Sequence, residues 1–201
     1  MRAGVIVSGG RSTRFGDSDK AVADLAGTPM IRRVADRLGQ VVGDLVVNCR
    51  EDQVEAIDAA LSGHTLDPTF ALDADPDQGP MAGIATGLEA VDSEYAAVVA
   101  CDMPFVDPGF VDYLFERAAS HEAAVPRPDE WFQTTQAVYH AEAMRAACRR
   151  ALERGEHKVV EPVFDLDYVV VEHEDVLEHT TLETFENLNT REEFEAAAEQ
   201  F

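Results

Sequence analysis

Hydrophobic residues collect in this chain as short unbroken runs, and between the runs they return at every third or fourth position. The runs at 3–8, 45–48, 69–72 and 95–101 read as strands that are apolar on both sides, as in a sheet covered on both faces. A helical spacing follows each of them. Thr28 and Pro29 supply a cap and a first-turn proline for a helix bearing Met30, Val34 and Leu38 on one face. Residues 51–61 form an acidic helical pattern, 81–91 a helix entered through Gly79-Pro80, and Asp107-Pro108 opens another helix reaching about residue 119. Four such strand–helix units in the first 120 residues predict a mainly parallel sheet with helices on both faces. Beyond residue 120 the pattern changes. Strands at 123–126 and 134–139 flank a polar loop, a helix covers 141–154, and a late strand covers 168–171. Thr190 and Glu193 have the spacing of a capping box for a terminal helix. The later strands are expected to run in mixed directions.

Composition narrows the setting. A chain of 201 residues is the size of one α/β domain with a single core. Its 39 acidic residues against 16 basic ones leave a formal charge of −23, which argues against nucleic acid and anionic membrane as partners. The charge is spread along the chain rather than gathered in a tail, and the hydrophobic share of 46% is that of a folded protein. Lys20 and Lys158 are the only lysines. Abundant carboxylates with almost no lysine suit molar salt, where the screening length falls to about 3 Å, so a halophilic source is expected. The first apolar run ends at Ser8, too soon for a signal peptide or a membrane span, so a cytoplasmic location is expected. Cys49, Cys101 and Cys148 make no C-x-x-C pair and are odd in number, against a disulfide framework or a zinc site. Cys101, inside an apolar run, reads as a small buried hydrophobe.

The candidate chemistry begins where the first strand breaks into Gly9-Gly10-Arg11-Ser12-Thr13-Arg14-Phe15-Gly16, followed by Asp19-Lys20. Glycines allow close main-chain approach, and successive N–H groups of such a loop can point together at an anion. Arg11, Arg14 and Lys20 would then neutralise the charge held there. The spacing is neither that of a P-loop nor that of a dinucleotide fold. In open parallel sheets ligands bind at the carboxyl ends of the strands, a rule that selects residues 8–20, Asn48, Asp73 and Asp102. Asp102 closes an apolar strand and offers hard oxygen ligands of the kind magnesium takes together with substrate phosphates. Its other reading is a turn aspartate bonded to local N–H groups. Asp73, ahead of Gly79-Pro80-Met81-Ala82-Gly83, reads equally as a contact to a base or ribose and as part of an acidic loop with Asp75 and Asp77. Asn48 divides the same way between ligand and turn. Lys158 is either a contact for an acceptor's phosphate or a surface lysine. His173, Glu174 and His179 match no zinc spacing and read as solvated surface. Arg145, Arg149 and Arg150 read as partners of nearby glutamates, and Trp131 with Phe132 as a loop packed on the domain.

The G-G-x-x-x-R-x-G loop with its following D-K resembles the signature of nucleotidyltransferases. Taken with Gly27-Thr28-Pro29-Met30, Val46-Val47-Asn48, Asp73 before Gly79-Pro80-Met81-Ala82-Gly83, and Cys101-Asp102-Met103-Pro104, the chain resembles the molybdenum cofactor guanylyltransferase family. The likeness continues through Gln136-Ala137-Val138-Tyr139, Leu152-Glu153-Arg154-Gly155 and Phe185-Glu186-Asn187-Leu188-Asn189-Thr190, in the family's order from end to end. Ser8 stands where that family usually has alanine, Arg191 where proline commonly follows, and Thr134-Thr135 where a proline is common. The resemblance implies a three-layer α/β/α, Rossmann-like nucleotidyltransferase fold with a mainly parallel, mixed sheet. Residues 1–120 would be the nucleotide-binding half and 121–201 the acceptor-binding half of one domain. It implies transfer of GMP from GTP to the phosphate of molybdopterin, with release of pyrophosphate. GTP contacts are implied at Val7, Ser8, Gly9, Gly10, Lys20, Asn48, Asp73 and Asp102, and catalytic roles for Arg14, Lys20 and Asp102. Magnesium is implied at Asp102, with Asn189 as a second contact. Other cofactor-biosynthesis proteins and molybdoenzymes are the implied protein partners. The motifs leave open a cytidylyltransferase for the same acceptor, a guanylyltransferase for phospholactate or cobinamide phosphate, and a GTP-binding module without turnover.

Overall fold

A computed structural model describes residues 2–10, 19–73 and 78–201. In chain order, β1 (Arg2–Val7) leads through a 3-10 turn at Lys20–Val22 to a small hairpin, β2 (Asp24–Leu25) and β3 (Thr28–Pro29), and then to α1 (Met30–Leu38). Next come β4 (Asp44–Cys49), a 3-10 turn at Glu51–Gln53, α2 (Val54–Leu61), β5 (Thr69–Leu72), α3 (Pro80–Glu89), β6 (Tyr95–Ala100) and α4 (Pro108–Ala118). The remainder is β7 (Ala123–Arg127), β8 (Gln136–His140), α5 (Ala141–Glu153), α6 (Val160–Val163), β9 (Tyr168–Glu172), α7 (His173–His179), a 3-10 turn at Leu182–Phe185 and α8 (Arg191–Ala198).

Seven strands form one sheet in the order β5-β4-β1-β6-β8-β7-β9. β5, β4, β1 and β6 are mutually parallel, β8 runs against both of its neighbours, and β9 is parallel to β7. Alternate residues of each central strand serve opposite faces, as the period of two requires. Ile6, Val47, Val99 and Val138 pack under Leu38 of α1, Ile57 of α2 and Leu114 of α4. Val5, Val46, Val98 and Tyr139 pack under Met81 and Ile84 of α3 and Met144 of α5. The result is the expected three-layer α/β/α arrangement with a mainly parallel, mixed sheet.

One boundary differs from the sequence expectation. Thr28 does not cap α1; it pairs with Leu25, and Pro29 pairs with Asp24. Ala26 (φ 50°) and Gly27 (φ 82°) both lie in the left-handed region, the requirement of a two-residue hairpin turn whose twist suits the flanking strands. Asp24 Oδ1 accepts from the Gly27 amide at 2.7 Å, and Pro29, extended at φ −55° and ψ 140°, precedes the helix without a side-chain cap. Asp107 does cap α4 as expected, accepting from the amides of Gly109 (2.8 Å) and Phe110 (3.2 Å). The histidines at 173 and 179 bound α7, which is anchored by buried Val176.

β1 sits where the order of the sheet reverses, with β4 on one side and β6 on the other. The carboxyl ends of β1 and β6 therefore open a crevice at the switch point, the place where open α/β sheets bind ligands. Among the described residues, no helix is long and apolar enough to cross a membrane.

Candidate nucleotide site

Three segments remote in sequence converge at that crevice. Lys20 opens the 3-10 turn that ends the glycine-rich loop, and Asp19 caps the turn by accepting from the Ala21 amide at 3.0 Å. The Lys20 ammonium donates to Asp102 Oδ2 at 2.7 Å and to Asn189 Oδ1 at 2.9 Å. Asp102 follows β6, whose end is fixed by the Cys101 amide donating to Val7 O at 3.1 Å. Asn189 arrives with the C-terminal segment, which is seated by the Leu188 amide donating to Asp102 O at 3.0 Å. An ammonium has three donors, so one remains beyond these two bonds among the described residues. Among the described residues, Asp102 Oδ1 is buried without a hydrogen-bond partner.

A second cluster lies beyond β1 on the β4 and β5 side. Ser8 continues the β1–β4 ladder, its amide donating to Asn48 O at 2.9 Å, and its hydroxyl donates to the same oxygen at 2.7 Å. Serine in place of alanine thus adds a bond without disturbing the strand end. Asn48 is fully buried, and its Nδ2 donates to Ala71 O at 3.2 Å and to Asp73 Oδ1 at 2.7 Å. Burial pushes the Asp73 carboxyl above its ordinary range, against the opposing pull of the Asn48 amide and the Arg50 cation. A Cβ at Gly9 would stand 2.2 Å from Asp73 Oδ2, so the loop passes directly against this carboxylate, and a larger residue there would require the Asp73 side chain to move. Asn48 therefore fixes the Asp73 carboxylate beside the loop.

Val7, Ser8, Gly9, Lys20, Asn48, Asp73, Asp102 and Asn189 are thus brought to one edge of the sheet, and Gly10 continues that loop. Arg11 and Arg14 lie outside the described residues. Lys158 stands exposed on the turn between α5 and α6, its amide donating to Glu161 Oε2 at 2.8 Å. Phe132 packs edge-on against Phe164 and Tyr168, with both ring centroids 6.1 Å away. Trp131 does not follow it, because Asp129 holds the Trp131 amide at 2.7 Å and the indole is 71% exposed. His173 Nδ1 bonds Pro128 O at 2.6 Å, while the His179 ring stacks on Tyr113. Arg149 pairs with Glu89 and Arg150 lies 3.9 Å from Asp165, so both serve as helix-surface ion-pair partners. Burial raises all three thiols, Cys49 to about 11 and Cys148 to about 12, with Cys101 higher still. None is a thiolate at neutral pH.

Two residues of this edge escaped the sequence reading. Arg50 Nη1 donates to the carbonyls of Gly9 (3.1 Å) and Gly10 (3.2 Å), and Gln53 Nε2 donates to Ser8 O (3.1 Å) and Asp19 Oδ2 (2.6 Å). Their signal was the same strand-end rule, which selects the residues after β4 as well as Asn48.

A glycine loop at the switch point, closed by a lysine bonded to a strand-end aspartate, defines a nucleotidyltransferase site. The chain belongs to the MobA-like NTP transferase family, whose domain matches residues 4–176. It is 55% identical to the probable molybdenum cofactor guanylyltransferase of Natronomonas pharaonis over 199 residues, covering 99% of this chain and 98% of the relative. The protein of the same description from Haloferax mediterranei is 40% identical, covering 97% of this chain and 92% of the relative. Among solved structures, molybdopterin-guanine dinucleotide biosynthesis protein A from Archaeoglobus fulgidus superposes with a TM-score of 0.79 at 26% identity, covering 100% of this chain and 98% of that one.

Proposed function

We propose that this protein is a molybdenum cofactor guanylyltransferase, transferring GMP from GTP to the terminal phosphate of molybdopterin or its molybdenum-loaded form and releasing pyrophosphate. The observation that carries the reading is the meeting of Lys20, Asp102 and Asn189 at the switch point. It rests equally on the two relatives and the Archaeoglobus structure described above. An oxygen of the acceptor phosphate attacks the α-phosphorus of GTP in line with the departing pyrophosphate. The acceptor is already ionised, so no side chain has to remove a proton. Lys20 turns its remaining N–H toward the phosphates and stabilises charge that grows on the transferring group, with Arg14 in the same role from the loop. The amides of Gly9 and Gly10 bind phosphate oxygens, and Asp73, oriented by Asn48, accepts from the N–H edge of guanine.

Magnesium fits the donor set at Asp102. Oδ1 is a buried carboxylate oxygen without a donor among the described residues, the kind of hard ligand such an ion takes alongside substrate phosphates and water. Asp102 would hold it with the Asn189 amide oxygen alongside, and the bound ion would offset charge on the phosphate oxygens. Asp102 also fixes Lys20 through its other oxygen, which keeps the ammonium at the crevice. The reading places the protein in the cytoplasm, with other cofactor-biosynthesis proteins and molybdoenzymes as the partners that supply its acceptor and receive its product.

The test is pyrophosphate release in molar KCl with magnesium, offering GTP, CTP or ATP together with molybdopterin or its molybdenum-loaded form. Release with GTP alone is expected. Release with CTP instead would move the protein to cytidylyl transfer, and silence with all three would overturn the assigned acceptor.

A further inference from the structure

We infer that Arg50 and Gln53 are positioning residues for the triphosphate: by holding the carbonyls of Ser8, Gly9 and Gly10 from behind, they turn the amides of Gly9 and Gly10 toward the phosphates. The inference deepens the proposed function and rests on it, since it takes the loop to be the phosphate site.

The geometry follows from the planar trans peptide, in which the carbonyl of one residue and the N–H of the next point in opposite directions. Gln53 Nε2 holds Ser8 O at 3.1 Å, which directs the Gly9 N–H away from Gln53. Arg50 Nη1 holds Gly9 O at 3.1 Å, which directs the Gly10 N–H away from Arg50. The same nitrogen reaches Gly10 O at 3.2 Å. Neither glycine amide donates to a described residue.

Such a clamp answers a weakness in the sequence. Two successive glycines lack the Cβ that restricts a peptide, and the Gly9–Gly10 unit has access to both signs of φ. A flipped peptide would set a carbonyl oxygen, in place of an N–H, against a phosphate oxygen. A cation bonded to the carbonyl selects one orientation and polarises the peptide so that the N–H on its far side becomes a better donor to an anion.

The clamp is itself fixed. Gln53 is buried, and its Oε1 accepts from the Arg50 amide at 3.0 Å. Asp52 pairs with the Arg50 guanidinium at 3.0 Å and keeps it from swinging outward. Gln53 Nε2 also bonds Asp19 Oδ2 at 2.6 Å, and Asp19 caps the turn that begins at Lys20. One buried amide therefore ties the start of the loop at Ser8 to its end at Asp19 and fixes the register between the glycine amides and the Lys20 ammonium.

The experiment compares dissociation constants for GTP and for guanosine in wild type, Arg50→Ala and Arg50→Lys, measured by calorimetry or NMR titration in molar KCl with magnesium. The guanosine constant divided by the GTP constant reports the phosphate contribution and cancels any general loosening of the base site. Arg50→Ala is expected to lower that ratio by about tenfold or more, on the scale of charge-assisted hydrogen bonds, with guanosine affinity changing far less than GTP affinity. Arg50→Lys, able to reach a carbonyl but not to fork, should recover part of the ratio and also supplies a folded variant should the alanine protein fail to fold. An unchanged ratio in both variants overturns the inference, as does an equal loss for GTP and guanosine. A wild-type ratio near one shows instead that the phosphates are not bound here, and then the nucleotide reading falls and takes the inference with it.

Discussion

Lys20 is one of two lysines in the chain, and its setting explains why an arginine would serve less well there. A compact ammonium with three rotatable donors can address Asp102, Asn189 and a phosphate oxygen at once, whereas a guanidinium is a planar fork that needs a wider approach. Its side chain is about 10% exposed, so the charge works in a site where water screens it weakly. Replacing Lys20 by alanine should lower kcat/KM for GTP by roughly 3 kcal/mol of transition-state stabilisation, about two orders of magnitude. Steady-state pyrophosphate release measures it. Near-wild-type turnover by a folded Lys20→Ala protein would remove the residue from the chemistry. The same residue shows what the sequence made legible. A lone lysine after a glycine loop and an aspartate at the end of an apolar run were visible as chemistry, but their bond spans 82 positions and carries no local signature. Arg50 and Gln53 were less visible because a polar pair after a strand looks like any helix entry.

At the scale of elements, the seven strands of the sheet could be read from the runs that fill them; the five inner ones are buried on both faces and have almost no polar positions to blur their limits, while the edge strands β5 and β9 are partly exposed. The hairpin at Asp24–Pro29 could not, since it rests on Ala26 taking a left-handed backbone, which alanine rarely does and no pattern of polarity announces. The short helices α6 and α7 escaped for a related reason: four and seven residues are too few to show a helical period. The capping box of α8 was legible, and it bears on the site. Thr190 Oγ1 accepts from the Glu193 amide at 3.2 Å, while Glu193 Oε2 accepts from the amides of Asn189 (2.7 Å) and Thr190 (2.9 Å). Those backbone donors hold the Glu193 carboxyl below its usual range. A carboxyl lowered in the folded state stabilises it above the unfolded value, and that contribution disappears as pH falls through the folded value. The box should therefore survive at the ordinary glutamate pKa and open only below it. Thr190→Ala should cost about 1 kcal/mol of helix stability, on the scale of lost N-caps. Amide exchange across Arg191–Ala198 would show the fraying, together with a weaker hold on Asn189 read as reduced turnover. Unchanged exchange in Thr190→Ala, or protection lost already at pH 4.5 in wild type, would contradict this.

At the scale of the whole molecule, the charge of −23 decides how the fold responds to salt. Two effects oppose each other. Salt weakens attractive pairs such as Arg127–Glu172, Arg149–Glu89 and Arg154–Glu156, all of them substantially exposed. Exposed pairs contribute only about 0–1 kcal/mol each. Salt also screens repulsion among the carboxylates, and the 39 acidic residues outnumber the 16 basic ones by more than two to one. Repulsion is therefore the larger contribution, and it acts over a Debye length of about 30 Å in 0.01 M salt but only about 3 Å at 1 M. The thermal midpoint should rise steadily from 0.01 M to molar KCl, with much of the gain reached once the screening length falls below the spacing of surface carboxylates. GTP binding should strengthen over the same range, because a triphosphate approaching an acidic surface meets long-range repulsion that salt removes, while Lys20 and the glycine amides act at contact. Calorimetric scans and GTP titrations across the salt series test both. A midpoint that is flat or falls with salt would mean that the carboxylates are arranged to stabilise this fold by attraction, and would end the expectation of a halophilic origin.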